Sequence, residues 1–500
     1  MYLVIAEKPS VSRAIAEVIG AQEREDGYLQ GTDCMVSWCF GHLAEYVSPD
    51  AYDEKFNQWR YEDLPIIPKD WKVTVSEDKK DQFYILKRLL NSPKIEYVVN
   101  ACDAGREGEL IFKHVYDLSG SKKPVKRLWI SSLEDSAILD GMQHLRSAEE
   151  YRHLAEAAVC RSQADWLVGM NATRAYTTKY FKKLTVGRVQ TPTLAMLVER
   201  AGQISNFQKE KYFNVELDCD GIPAVKPKIF DPDEAEQLRS RCHGNEAIVT
   251  SVKETEKKVK APKLYDLTTL QREANRIYGM TAKQTLDTAQ SLYEKKLITY
   301  PRTDSRCLTE DMITSTVNNI LGKNDFDTGR IKTVFNSKKV TDHHAIIPTV
   351  SSLSEDLSGI PESEAKVYRL ISNKLHASVG YPLVENTTKI VAEFDGFQFT
   401  STGKVIKDEG FTKYLKEYKF NKNELPDVSI GDVIIIENKE IKEKYTKPPK
   451  HFTEDTLLKA MELAGNDALE KGVEVEREGL GTPATRAGII ENLIYKEFIE

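Results

Sequence analysis

The segment Leu297-Ile298-Thr299-Tyr300-Pro301-Arg302-Thr303-Asp304-Ser305 places a tyrosine two residues before an arginine and four before an aspartate. A phenol is a weak nucleophile at neutral pH because its pKa is about 10. A neighbouring guanidinium stabilises both the phenolate and the charge on a pentacoordinate phosphate, so the pattern fits attack of a tyrosine on a phosphodiester. One tyrosine among 22 is by itself a packing residue. The whole string is what singles Tyr300 out.

Two acidic groups sit where apolar runs end. Glu7 and Lys8 follow Tyr2-Leu3-Val4-Ile5-Ala6, and Cys102-Asp103-Ala104-Gly105-Arg106-Glu107-Gly108 follows Ile95 to Ala101. Each run reads as a buried strand that passes into a helix, through Val11, Ala14, Ile15 and Val18 in the first case and Leu110, Ile111 and Val115 in the second. Acids at such strand-to-helix switches suggest an open α/β sheet with its site at the carboxyl edge. No Gly-Lys pair is followed by Ser or Thr, so a Walker phosphate loop is absent and the chemistry is expected to run without a P-loop nucleotide.

From about residue 149 to 200 the pattern is helical, and between Arg161 and Arg200 seven Lys/Arg face two Asp/Glu. Tyr176, Tyr180 and Phe181 interleave with Arg174, Lys179, Lys182 and Lys183, a mixture that grips a phosphate backbone and stacks bases. A solvated helix face with aromatics turned inward explains the same residues. Alternating runs at Tyr212 to Leu217, Thr388 to Thr400 and Val433 to Ile436 read as strands, split by a helical region, so a β-rich domain is expected to be interrupted by an inserted one. An ungapped shift of 201 lays Thr281 to Ile298 onto Thr482 to Ile499. Each copy has a Thr N-cap, a helix of about 13 residues and a β-like exit, preceded by an apolar helix (Leu267 to Tyr278, Thr456 to Leu463), as in winged-helix modules. Tyr300 leaves the first copy where the second runs off the chain.

Five hundred residues imply several domains. A net charge of -7 rules out reading nucleic-acid binding from net charge alone. Apolar runs are too short to span a bilayer, and the N-terminus lacks the features of a secretory signal, so a cytoplasmic protein is expected. Seven scattered cysteines without a C-x-x-C argue against a zinc site or disulfide frame.

The Ile298 to Ser305 string resembles the active-site segment of the type IA DNA topoisomerases. Other strings follow in that family's order. Ala6-Glu7-Lys8-Pro9-Ser10 looks like the opening of the Toprim domain in the bacterial topoisomerase III branch, and Gly41-His42-Leu43 resembles its next motif. Asp103 to Glu109, Arg161 to Arg174, Val186 to Pro192, Asp342 to Thr349 and Gly481 to Arg486 complete the series. The resemblance implies a mixed α/β multidomain toroid with a central DNA hole. Its parts would be a Toprim domain (1-150), a helical and winged-helix DNA-binding domain (151-210 and 445-500), a β-rich arch (211-262 and 385-444) and a winged-helix-like domain carrying Tyr300 (263-384).

The implied reaction is ATP-independent cleavage of single-stranded DNA through a 5′-phosphotyrosine, strand passage and religation, relaxing negative supercoils and decatenating DNA. Glu7 would shuttle a proton at the 3′ oxygen, Lys8 would offer a charge to the scissile phosphate, and Arg302 would stabilise the transition state. Arg161, held by Asp165 one helical turn on, would position the phosphate. Arg174, Arg188, Gln190, Asp304 and Arg486 are expected at the DNA, and His343 at a phosphate or the tyrosine. Glu7, Asp103 and Glu107 would hold Mg²⁺, although Gly105 stands where the family's acidic motif commonly has a second Asp, which puts the affinity in question. Expected partners are single-stranded or underwound DNA, no membrane, a monomeric enzyme and a helicase. The chain stops within the second winged-helix unit, so a longer natural chain is expected. A Toprim nuclease or primase would use the acids without Tyr300, and a winged-helix regulator would leave them idle.

Overall fold

The computed structural model of the chain describes residues 1–242, 244–322, 326–340, 343–415, 423–465 and 479–500. Asp342, part of one motif above, lies outside the described residues.

The N-terminal apolar runs become β1 (Tyr2–Ala6), β2 (Glu23–Glu25), β3 (Tyr28–Gln30), β4 (Cys34–Trp38), β5 (Ala44–Tyr46), β6 (Val73–Val75), β7 (Tyr97–Ala101), β8 (Val125–Arg127) and β9 (Arg146–Ser147). All but the β5-β6 ribbon form one sheet ordered β2-β3-β4-β1-β7-β8-β9. The four central strands β4, β1, β7 and β8 run parallel. Ala6 aligns with both Trp38 and Ala101, so the residues just beyond them emerge together at one edge. Helices cover both faces: α1 (Pro9–Ile19), α2 (Lys80–Leu90), α3 (Arg106–Ser119) and α4 (Asp135–Gln143). Alternate residues of β1 therefore feed two cores, Val4 and Ala6 with Val36, Val99 and Ile15, and Leu3 and Ile5 with Val98, Leu86 and Ile111. Burial on both faces is why the strand reads as an unbroken apolar run. Each such aliphatic side chain contributes about 1.5–3 kcal/mol relative to exposure.

The helical stretch becomes α5 (Arg152–Tyr180) and α6 (Gln190–Ser205). Trp166 of α5 donates its indole N–H to the Val47 carbonyl at 3.2 Å and meets Trp71 edge-on at 5.4 Å, which fastens α5 to the sheet domain.

The split β region closes into a barrel of β10 (Lys211–Cys219), β11 (Ile222–Ile229), β12 (Glu246–Val259), β13 (Leu383–Phe394), β14 (Phe397–Asp408) and β15 (Val433–Tyr445), with α7 (Pro232–Cys242) against it. The run 388–400, expected as one strand, is instead a hairpin. It turns at Asp395-Gly396, whose φ values of 47° and 81° are both positive, as a two-residue hairpin turn requires.

Between β12 and β13 lie α8 (Leu267–Tyr278), α9 (Ala282–Glu294), the short α10 (Ile313–Ser315) and α11 (Thr328–Val334), and α12 (Glu362–Ser378). After β15 come α13 (Glu454–Leu463) and α14 (Pro483–Tyr495). The 201-residue shift is visible in the backbone: α9 and α14 are 13 residues each, Thr281 and Thr482 both form capping boxes, and Lys296 and Glu497 both turn at positive φ, 60° and 56°. The expected β exit is not a strand; Ile298 makes only an isolated bridge to Pro348. Among the described residues no helix is long and apolar enough to cross a membrane.

Candidate active site

Tyr300 is held from both sides of its peptide. Thr299 N–H donates to the Ile347 carbonyl at 2.9 Å, and Tyr300 N–H donates to the Ser131 carbonyl, beyond β8, at 3.0 Å. The ring lies between Tyr293, edge-on at 5.3 Å, and His343 at 4.3 Å. Its hydroxyl donates to Asp103 Oδ2 at 2.9 Å, joining residues 197 apart in the chain. Only 6% of Tyr300 is exposed. Burial and the Asp103 carboxylate push the phenol well above its ordinary pKa against the pull of Arg302, so the resting phenol keeps its proton.

The acids stand at the carboxyl ends of adjacent parallel strands. Glu7 follows β1 and is buried; desolvation, with Asp103 as the next contributor, raises its carboxyl to about 8, while Lys8 and Arg302 oppose the rise. Asp103 follows β7. Gly105 caps α3 with φ 150° and ψ 173°, a region essentially open to glycine alone. Gly108 packs so closely that a Cβ there would lie 2.0 Å from the Asp103 carbonyl oxygen. These two glycines let the chain turn from strand to helix within a few residues, which keeps Asp103 and Glu107 at one mouth. Glu107 pairs with His42 Nε2 at 3.4 Å, and this contact, followed by Arg302, holds its carboxyl below the ordinary range.

His343 is buried between the tyrosine and the sheet. Its Nε2 faces the Ala104 carbonyl and its Nδ1 lies 3.0 Å from Ser131 Oγ. A carbonyl can only accept, so Nε2 carries the hydrogen and Nδ1 accepts from the serine. Desolvation lowers the ring to about 3, so His343 is neutral and packs against Tyr300 with both nitrogens engaged within the protein. For Arg302, burial would lower the guanidinium, but Tyr300, Asp103, Glu7 and Glu107 together raise it. Its Nε is buried with no hydrogen-bond partner among the described residues.

Glu7, Asp103, Glu107, Arg161, Asp165, Tyr300, Arg302, Asp304, His343 and Arg486 line one cavity of about 550 Å³. Lys8, Arg174, Arg188 and Gln190 are not in its wall. Arg174 is buried elsewhere, donating to the Phe56 carbonyl at 2.8 Å and lying over Trp59. Gln190 accepts from Lys496 at 3.3 Å and so ties α6 to α14. The expected Arg161–Asp165 pair is replaced: Asp165 accepts from Arg188 Nε at 2.6 Å, because the loop 181–189 folds back along α5. Arg486 is 3% exposed and donates to Leu480, Gly481 and Thr268, which makes it a strut of the cavity wall and not a free cation.

Sequence reasoning passed over the residues that clamp the tyrosine segment. Toward the sheet domain, Lys296 pairs with Asp135 at 2.6 Å and Ser351 N–H donates to Glu134 at 3.0 Å. Toward α13, Arg306 binds Asp266 and also Glu462 at 2.8 Å, and Arg272 binds Asp455 at 2.8 Å. These are lone charges in unremarkable strings; only their cross-chain partners give them meaning.

Residues 2–133 match the Toprim domain family and residues 149–500 match the DNA topoisomerase family. The chain is 40% identical to DNA topoisomerase 3 of Bacillus subtilis across 100% of its own length and 73% of that protein. It is 38% identical to DNA topoisomerase 3 of Staphylococcus epidermidis, again over 100% of this chain and 73% of the relative. The full-length topoisomerase I of Thermotoga maritima superposes with a TM-score of 0.74 at 24% identity, covering 100% of this chain and 79% of that one.

Proposed function

Because the chain belongs to the type IA DNA topoisomerase family, we propose a division of labour among its own residues in cutting and resealing one DNA strand. The observation that carries it is the Tyr300 hydroxyl lodged 2.9 Å from Asp103 in a cavity shared with Glu7 and Arg302. Tyr300 Oη attacks the phosphorus and gives up its proton to Asp103. The new O–P bond forms as the bond from phosphorus to the 3′ oxygen breaks. Glu7, protonated near neutral pH at about 8, gives its proton to the leaving 3′ oxygen and recovers it on religation. Arg302 meets the transition-state phosphate with the Nε that has no other partner among the described residues. Bond energy is kept in the phosphotyrosine, so no nucleotide is consumed.

The donor set fits a divalent cation. Glu7, Asp103 and Glu107 are among the carboxylates that line one cavity, and the repulsion that contributes to raising Glu7 is what a cation would relieve. Among the described residues no group of three His, Cys, Asp or Glu side chains is arranged to hold a metal ion by itself, and Mg²⁺ keeps several waters and needs few protein ligands. Asp103 and Glu107 would hold it, with Glu7 joining them only when ionised, and it would supply positive charge beside the phosphate.

DNA is the partner. Single-stranded or underwound DNA is the preferred form, supported by exposed Tyr176, Tyr180 and Phe181 beside lysines at the end of α5. The reading extends to relaxation with decatenation, a cytoplasmic monomer whose seven cysteines are free thiols, and a helicase partner. It divides the chain into 1-150, 151-210 with 445-500, 211-262 with 385-444, and 263-384; the barrel drawn from two separated segments supports the third. The test is denaturation of a mixture with a labelled single-stranded oligonucleotide: wild type leaves a covalent adduct and Tyr300→Phe leaves none. Adduct or relaxation retained by Tyr300→Phe overturns the assignment.

A further inference from the structure

Beneath the acid-bearing turn lies a charged node that the reaction does not touch. Arg127, the last residue of β8, is 1% exposed, and its guanidinium donates in five directions. Nε binds Glu109 Oε1 at 2.7 Å; Nη1 binds the carbonyls of Asn100 at 3.0 Å, Cys102 at 2.7 Å and Leu128 at 2.8 Å; Nη2 binds the Asp103 carbonyl at 2.9 Å. Glu109, itself buried on α3, also accepts from the Asn100 side chain, whose Oδ1 accepts the Cys102 N–H at 3.0 Å.

The reason for such a node lies in the topology. At Cys102 the chain leaves the sheet to enter α3: the Asn100 carbonyl still accepts the Leu128 N–H at 3.0 Å, but the carbonyls of Cys102 and Asp103 beyond it have no strand to meet. Buried carbonyls must find donors. One planar fork supplies both, while Gly108 closes on the Asp103 carbonyl from the helix side. A single lysine nitrogen could not span carbonyls of four residues. Apolar side chains of similar volume would often be as stable as a buried ion pair, so stability alone does not account for the pair.

We propose that Arg127, backed by Glu109 and Asn100, is the positioning residue of the reaction. It fixes the 100–103 backbone so that the Asp103 carboxylate meets the Tyr300 hydroxyl. This rests on the reading of Tyr300 and Asp103 given above.

The test separates holding the fold from aiming the acid. In R127M/E109M both charges are removed together, so neither is left buried alone. This variant leaves the Cys102 and Asp103 carbonyls without their donor, so its melting temperature should fall; well below that temperature its affinity for a single-stranded oligonucleotide in EDTA should stay within two-fold of wild type, while the rate of adduct formation with Mg²⁺ falls at least ten-fold. R127K keeps a charge against Glu109, and it should show the same split between unchanged binding and slowed cleavage. Wild-type cleavage rates in either folded variant would overturn the proposal. So would a rate loss in both that only matches a loss of folded protein. If wild type itself forms no adduct, the Tyr300 reading fails instead.

Discussion

Replacing Glu7 by Gln should reshape the pH dependence of stability in metal-free protein. The carboxyl is held at about 8 in place of its ordinary 4.5, first by desolvation and then by Asp103. Ionising it in the fold therefore costs up to ~5 kcal/mol more than in the unfolded chain, at about 1.36 kcal/mol per pH unit. Water reaching the cavity screens part of this, leaving about 2–3 kcal/mol. The sign follows from proton counting: between 4.5 and about 8 the folded state binds more protons than the unfolded one. The contribution is fully present below 4.5 and is lost as pH rises through about 8. Glu7→Gln keeps the shape without the charge, so the two proteins should melt alike near pH 4.5 and diverge by pH 9, with the variant higher. At roughly 2–4 °C per kcal/mol for a unit of this size, the gap is about 4–12 °C. Thermal scans in EDTA at half-unit pH steps would show it. Parallel curves with a constant offset would refute a buried, repelled Glu7.

Three further outcomes follow. Gly105→Asp meets open space but a glycine-only backbone, so it should fold at a cost of about 1–3 kcal/mol and lower the Mg²⁺ concentration for half-maximal relaxation; an unchanged requirement in the folded variant places position 105 beyond the ion's reach. Arg306→Ala strands buried Asp266 and leaves Glu462 with only its 3.9 Å contact to Arg272, so it should lower stability by about 1–3 kcal/mol and reduce the salt sensitivity of melting, read from scans between low and high NaCl. Tyr180→Ala with Phe181→Ala removes rings that are 58% and 95% exposed, so the melting temperature should hold while affinity for single-stranded DNA falls at least five-fold, as followed by anisotropy.

The parts of this protein that were legible before folding are those written in contiguous residues. Tyr300-Pro301-Arg302, Glu7-Lys8 and the Asp103 to Gly108 turn each carry their chemistry within a few positions. The strands leading to Glu7 and to Asp103 announce themselves by being buried on both faces. The repeat was legible for the same reason, since capping boxes and helix length are local properties. The hairpin at Asp395-Gly396 was also written locally, but an alternation count read through it.

What folding alone decided are the pairings across long separations and the energies that burial creates. Asp165 had a partner one turn away on its helix and took Arg188, 23 residues on, because the returning loop brings that guanidinium closer. Arg127 sits in an ordinary strand string, and its meaning appears only when carbonyls of the 100–103 turn lose their ladder. The states of Tyr300, Glu7 and His343 belong to the tertiary structure in the same way. A residue type sets an ordinary pKa, but removal of water and the approach of charges from distant segments move it. The sequence determined which groups are present; the packed fold decided which of them are protonated, paired and aimed.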